Sequence, residues 1–246
     1  MIHSAPSRLP YFFVTEHPKS GGTWVGQMLA DYLDVPFPRN RLPHLGSQII
    51  HCHEKKIIGK NKKIIVVIRD GRDVMVSYYY HSFFENDLYN HEHVKRVKKE
   101  LNFHDYHDIE NNMSSFIEFL YDKKFYPSMT WSEFTHSWIN SDSVSIVRYE
   151  NLLKSVPDEL GGAIEGVTNM VPNREKLIKI EDKYSFKNIK SSTTEKISET
   201  KWLRKGVSGD WKNHFNQKSR IIFDQLAGDV LIESGYEKDH SWVNIE

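Results

Sequence analysis

The stretch Tyr11-Phe12-Phe13-Val14-Thr15-Glu16-His17-Pro18-Lys19-Ser20-Gly21-Gly22-Thr23-Trp24 decides the fold. Its first five residues are an apolar run of strand length. Trp24, Met28, Leu29 and Tyr32 then recur along one side of a helix predicted from about Thr23 to Leu33. Between strand and helix lies a short loop. In an open α/β sheet, ligands collect at the carboxyl ends of strands. Gly21 and Gly22 allow close approach of the backbone to an anion, and N–H groups at a helix start point at it. Lys19 adds a charge, and Ser20 and Thr23 add hydroxyl donors. The loop reads as a phosphate cradle. It is not the NTPase pattern G-x-x-x-x-G-K-[ST], because the lysine precedes the glycines. In isolation it would be a tight turn with a solvated lysine; the flanking strand and helix, together with the segments at Arg69 and Arg204 below, favour the cradle.

Further along, Lys63-Ile64-Ile65-Val66-Val67-Ile68 is a continuous β-branched run, the pattern of a parallel strand buried on both faces. A helix is predicted to start in Arg69-Asp70-Gly71-Arg72-Asp73 and to reach Tyr80. A short strand, Ser47 to His51, precedes this pair, and Ser143 to Tyr149 reads as a third buried strand. Thr130-Trp131-Ser132-Glu133 has capping-box form and starts a helix to Trp138. Helical patterns follow from Glu150 to Gly166, Asn173 to Lys183 and Gln217 to Ser234. Alternating strands and helices imply an α/β fold, a single domain over residues 1–246 with a central parallel sheet flanked by helices. The polar, His-rich stretch Phe83 to Ser128, with helical patches around His93 to Leu101 and at Ser114 to Tyr121, is expected to be a mobile insertion that helps build an acceptor site.

Arg69 closes the buried strand, and Ser77 lies two helical turns on. A guanidinium fork with a hydroxyl is a good receptor for a second phosphate. Arg72 and Asp73 are expected to make structural contacts at the helix start instead. The loop Arg204-Lys205-Gly206-Val207-Ser208-Gly209-Asp210-Trp211-Lys212-Asn213 is basic and glycine-bearing; alone it is a solvated surface loop, and with Arg69 it could close on the same phosphate.

Composition bounds the partners. Of 246 residues, 39% are hydrophobic, and 33 basic side chains balance 33 acidic ones, which argues against broad nucleic-acid binding. The single cysteine, Cys52, excludes an internal disulfide framework. No stretch approaches the ~20 apolar residues of a membrane span, and Met1 to Pro10 lacks a secretory pattern, so a cytoplasmic location is expected.

The segments Pro18 to Trp24, Val67 to Ser77 and Arg204 to Asn213 together resemble the signatures of sulfotransferases that use 3'-phosphoadenosine 5'-phosphosulfate (PAPS), especially the cytosolic type. The resemblance extends from about Tyr11 to Tyr236 and is weakest from Phe83 to Ser128. It implies a P-loop-like nucleotide-binding architecture, PAPS as co-substrate and adenosine 3',5'-bisphosphate as product. It also implies that Lys19, Ser20, Gly21, Gly22 and Thr23 hold the 5'-phosphosulfate. Arg69, Ser77, Arg204, Lys205 and Gly206 would hold the 3'-phosphate, Trp24 and Phe186 would sandwich the adenine, and Tyr149 would add a nucleotide contact. Core packing is the competing reading for Trp24 and Phe186.

Attack by a hydroxyl on sulfur needs a base, and histidine suits neutral pH. Thirteen histidines make the residue type uninformative, so position decides. In His51-Cys52-His53-Glu54, His53 matches the family's catalytic histidine, and His51 falls where the family carries a lysine. His51 takes over that charge-stabilising role when protonated, or the role is lost, and His51 is also a second candidate base. A core histidine hydrogen-bonded to backbone is the competing reading for both histidines, while Lys19 would stabilise charge on the bridging oxygen. No metal is chemically required, and His91-Glu92-His93 and His104 to His107 read as solvated. The acceptor is expected to be a small molecule or carbohydrate bearing a hydroxyl or amine. A P-loop kinase and a non-catalytic nucleotide-binding relative are the competing functions. Phe223 to Glu246 lacks the short dimer motif common in animal cytosolic members.

Overall fold

A computed structural model describes residues 11–39, 46–57, 63–85, 90–123, 128–185, 187–188 and 206–244. The strands are β1 (Tyr11–Glu16), β2 (Gln48–Cys52), β3 (Lys63–Ile68) and β4 (Ser145–Arg148). They form one parallel sheet of order β2-β1-β3-β4. In chain order the helices are α1 (Gly22–Leu33), α2 (Gly71–Phe83), α3 (His91–Glu100), α4 (Ile109–Lys123), α5 (Trp131–Ile139), α6 (Tyr149–Leu152), α7 (Val156–Thr168), α8 (Arg174–Lys183) and α9 (Gln217–Glu233). The chain is α/β, as its alternation of strands and helices implies. Among the described residues no helix is long and apolar enough to cross a membrane.

Chain contacts separate two compact units, one drawn from residues 11–69 and 137–188, the other from 70–136 and 206–244. The first holds the sheet. Helix α1 packs on β1 and β2, α7 on β3 and β4, and α8 on α1 and α7. The β-branched run of β3 is buried as expected, with Ile65, Val66 and Val67 inaccessible to solvent. β4 differs from its expectation. Among the described residues it is the last strand in the order, and only Val147 of its four residues is buried. Ser155 and Asn173 cap α7 and α8, accepting from the Asp158 N–H at 3.2 Å and the Lys176 N–H at 3.0 Å.

The second unit is built on aromatic packing. Tyr79, Phe83, Phe116, Trp131 and Phe223 are fully buried in one cluster with Met75, Met113 and Leu231. The stretch read as a polar insertion supplies two helices to it. Val97 of α3 and Met113, Phe116 and Ile117 of α4 are core residues. The capping box at α5 forms reciprocally: Thr130 Oγ1 accepts from the Glu133 N–H at 3.2 Å, and Glu133 Oε2 accepts from the Thr130 N–H at 2.9 Å.

Arg72 and Asp73 are structural, as expected. The Arg72 Nε and Nη2 donate to both oxygens of Asp70, at 2.9 and 2.7 Å, and Glu237 accepts from Nη1. The Arg72 guanidinium lies 3.9 Å from the Trp211 ring centre and 4.6 Å from that of Trp242. Asp73 accepts the N–H groups of Gly209 at 2.7 Å and Trp211 at 2.9 Å, anchoring the C-terminal loop to α2.

Candidate active site

Parallel pairing brings four chain reversals to one edge of the sheet. β1 leads into the Pro18–Trp24 loop, β2 into His53, β3 into Arg69 and β4 into Tyr149. The loop is bent sharply. Lys19 adopts φ +77° and Gly21 φ +104°, both in the left-handed region. For Lys19 that conformation is strained, and such strain concentrates at functional sites. Gly21 is doubly required, since a Cβ there would also sit 2.8 Å from Cδ2 of Tyr149. Ser20 Oγ is buried and has no hydrogen-bond partner among the described residues. A buried hydroxyl aimed at no protein acceptor fits a cradle that awaits an anion. Burial pushes the Lys19 ammonium down to about 8; Glu16 pulls it up, and Arg69 and Arg39 push it further down.

Arg69 is buried and joins this loop. Its Nη1 donates to the Lys19 carbonyl oxygen at 3.3 Å, and its guanidinium lies 4.2 Å from the centre of the Tyr149 ring. The Trp24 ring meets Tyr149 edge-on at 6.0 Å, and Trp24 Nε1 donates to the Tyr184 carbonyl oxygen at 3.1 Å. Trp24, Tyr149, Arg69 and the glycine loop are therefore one packed group.

The histidines lie at the end of β2. Thr15 clamps the following backbone, its Oγ1 donating to the Glu54 carbonyl oxygen at 2.9 Å and accepting from the Glu54 N–H at 3.1 Å. Trp138 Nε1 donates to the same carbonyl at 3.0 Å. The His51 and His53 ring centres are 4.9 Å apart. His53 Nδ1 donates to the Glu16 carbonyl oxygen at 3.0 Å, which leaves the lone pair on Nε2 and sets the tautomer a base requires. Burial also lowers the His53 pKa; Glu16 opposes this and His51 adds to it.

Glu16 was not among the residues the sequence pointed to, and it organises the centre. One carboxylate oxygen accepts from the Gly22 N–H at 2.6 Å, and the other pairs with His51 Nε2 at 2.9 Å. Glu16 is buried. Burial alone would raise its pKa, yet the hydrogen bond and charge of His51, the charge of His53 and the Gly22 N–H hold it down to about 2. The carboxylate therefore fills one of the N–H positions expected to face an anion. By helix geometry the N–H group of Thr23 also lacks an intrahelical acceptor. Gly22 is explained by this contact, because a Cβ there would lie 2.6 Å from Glu16 Cδ. The available sequence signal was an acid at the last position of β1, level with His53 once Thr15 pairs with Cys52.

The structure thus brings together Lys19, Ser20, Gly21, Gly22, Thr23, Trp24, His51, His53, Arg69 and Tyr149 in the first unit. Ser77 lies half-buried on α2 in the second unit, and Gly206, at φ +64°, lies in its C-terminal loop. Phe186, Arg204 and Lys205 lie outside the described residues.

A family model described as "Sulfotransferase domain" matches residues 29–235. The chain is 27% identical to sulfotransferase 1E1 of Rattus norvegicus over 269 aligned positions, covering 91% of this chain and 84% of that protein. It is 28% identical to sulfotransferase 2A6 of Mus musculus, covering 79% of this chain and 64% of that protein. A crystal structure of mouse sulfotransferase SULT7A1 complexed with PAP superposes with a TM-score of 0.67 at 20% identity, covering 96% of this chain and 87% of the other, which shows the shared fold. With most of its length matched by the family model, the chain belongs to the sulfotransferase family.

Proposed function

We propose that the chain binds PAPS at the β1 and β3 strand ends and transfers its sulfuryl group to a hydroxyl or amine of a small-molecule or carbohydrate acceptor. PAPS supplies the sulfuryl group, and adenosine 3',5'-bisphosphate is the product. The observation that carries this reading is the hydrogen bond from Arg69 to the Lys19 carbonyl, which sets two cationic side chains at one bent, glycine-bearing loop. The unpartnered Ser20 hydroxyl and the Thr23 N–H group supply neutral donors beside them.

His53 accepts the acceptor's proton at Nε2, with its other nitrogen held by the Glu16 carbonyl. Lys19 places an ammonium where charge develops on the leaving oxygen. His51, held by the Glu16 carboxylate at a position where the family carries lysine, stands beside the base. Tyr149 supports the Arg69 guanidinium and the back of Gly21. The roles of Ser77, Phe186, Arg204, Lys205 and Gly206 toward the 3'-phosphate and the adenine are proposed on the sequence motifs alone.

Calorimetry with adenosine 3',5'-bisphosphate, paired with transfer of labelled sulfate from PAPS to a panel of hydroxylated and amine acceptors, tests the reading. His53→Ala is expected to retain nucleotide binding and to lose about 10²–10⁴ in turnover. Absence of any binding heat, or wild-type turnover in His53→Ala, overturns it.

A further inference from the structure

The cluster at the ends of β1 and β2 has a second chemical capacity. A ligand nitrogen from each of His51 and His53 and a carboxylate oxygen of Glu16 lie within 4.8 Å of one another. His51 and His53 are two positions apart at the end of β2, so their side chains lie on one face of the sheet. The parallel register sets Glu16 beside them from β1, because Thr15 pairs with Cys52. We infer that Glu16, His51 and His53 form a binding site for a first-row divalent cation of the zinc class, and that its occupancy withdraws the lone pair His53 needs as a base. The second half of this inference rests on the proposed function; the binding site does not.

Two imidazoles and one carboxylate are a donor set that holds Zn²⁺ while leaving a coordination position open. The outer contacts match those of ligating groups. Metal-bound histidines commonly donate their second nitrogen to a backbone carbonyl, as His53 Nδ1 does to Glu16 at 3.0 Å. The Glu16 oxygen turned away from His51 is oriented by the Gly22 N–H at 2.6 Å. Tetrahedral zinc at ~2.1 Å from each donor needs them about 3.4 Å apart, so a separation at the 4.8 Å limit must close by about 1.4 Å. The His51–Glu16 pair, at 2.9 Å, is closer than that spacing and would open by about half an ångström as the ion replaces its hydrogen bond. Lys19 and Arg39 bear on the same groups electrostatically and oppose a dication, so the site is weaker than a closed structural zinc site. Zinc and turnover are mutually exclusive here, since both use the His53 lone pair.

The experiment titrates zinc-free full-length protein with Zn²⁺ against a chromophoric chelator, without nucleotide. One equivalent is expected to bind, and to be lost in Glu16→Gln and in His51→Asn. It should persist in His240→Ala, which removes an exposed histidine lying 3.0 Å from Asp224 and 3.4 Å from Asp229. An equivalent that survives Glu16→Gln and His51→Asn, or that vanishes in His240→Ala, overturns the site. Should either site variant fail to fold, the wild-type protein still decides. Zn²⁺ must then protect His51 and His53 from diethyl pyrocarbonate, read by peptide mass, and unprotected residues overturn the inference. Binding of adenosine 3',5'-bisphosphate to the zinc-free protein is scored separately, so failure of the transferase reading and failure of the metal site give different results.

Discussion

Arg69 Nη1 donates to the carbonyl oxygen of Lys19 at 3.3 Å, which ties the end of β3 to the loop that follows β1. The guanidinium also lies over the Tyr149 ring, 4.2 Å from its centre, and is held in place by both contacts. Lysine can supply the charge at this position, but neither the fork nor the stacking. Arg69→Lys is therefore expected to weaken adenosine 3',5'-bisphosphate binding about ten- to a hundredfold, the range of a charge-assisted hydrogen bond worth about 1.5–3 kcal/mol. Calorimetry at fixed ionic strength measures it, and an unchanged affinity would remove Arg69 from the site.

The Lys19 ammonium, brought down to about 8, is charged below that pH and neutral above it. Nucleotide affinity should therefore stay level through neutral pH and fall as pH rises past about 8. An anion bound against Lys19 favours its protonated form, so binding on the alkaline side takes up a proton. Calorimetry in buffers of different ionisation enthalpy reads that uptake directly. Lys19→Met should abolish both the uptake and the alkaline fall; persistence of either in the variant would mean that another group is responsible.

Glu16 and Gly22 form a packed pair in which a new Cβ would lie 2.6 Å from the carboxylate carbon. Gly22→Ala is expected to cost about 1–3 kcal/mol through overpacking. In a Glu16→Ala background the same change should cost much less. A double-mutant cycle by chemical denaturation should give a coupling of about 0.5–3 kcal/mol. Additive effects would show that the loop accommodates the methyl group without touching Glu16.

Asp73 holds the backbone N–H groups of Gly209 and Trp211 at 2.7 and 2.9 Å. Asp73→Ala leaves both amides without that acceptor and should lower stability by about 1–3 kcal/mol. Hydrogen exchange localises the effect. The Gly209 and Trp211 amides should lose protection before the amides of α4 do, and uniform loss across the chain would contradict a local anchoring role.

By itself, the sequence was sufficient for features whose cause is local. The β-branched run of β3, the glycine-bearing loop between β1 and α1, and the reciprocal capping box of Thr130 and Glu133 each follow from residues within one turn or one strand of each other. The apolar stripe of Met113, Phe116 and Ile117 was there to be read as well, though the surrounding polar residues hid its role as core. Only the tertiary structure could show that Glu16 faces His51 and His53, because that contact depends on the parallel register of β1 and β2 across more than thirty residues of chain. The same holds for Arg69 reaching Lys19 and for Tyr149 lying against Gly21. Strand pairing between distant segments is settled by the burial of the whole sheet, and no local pattern of side chains carries that information.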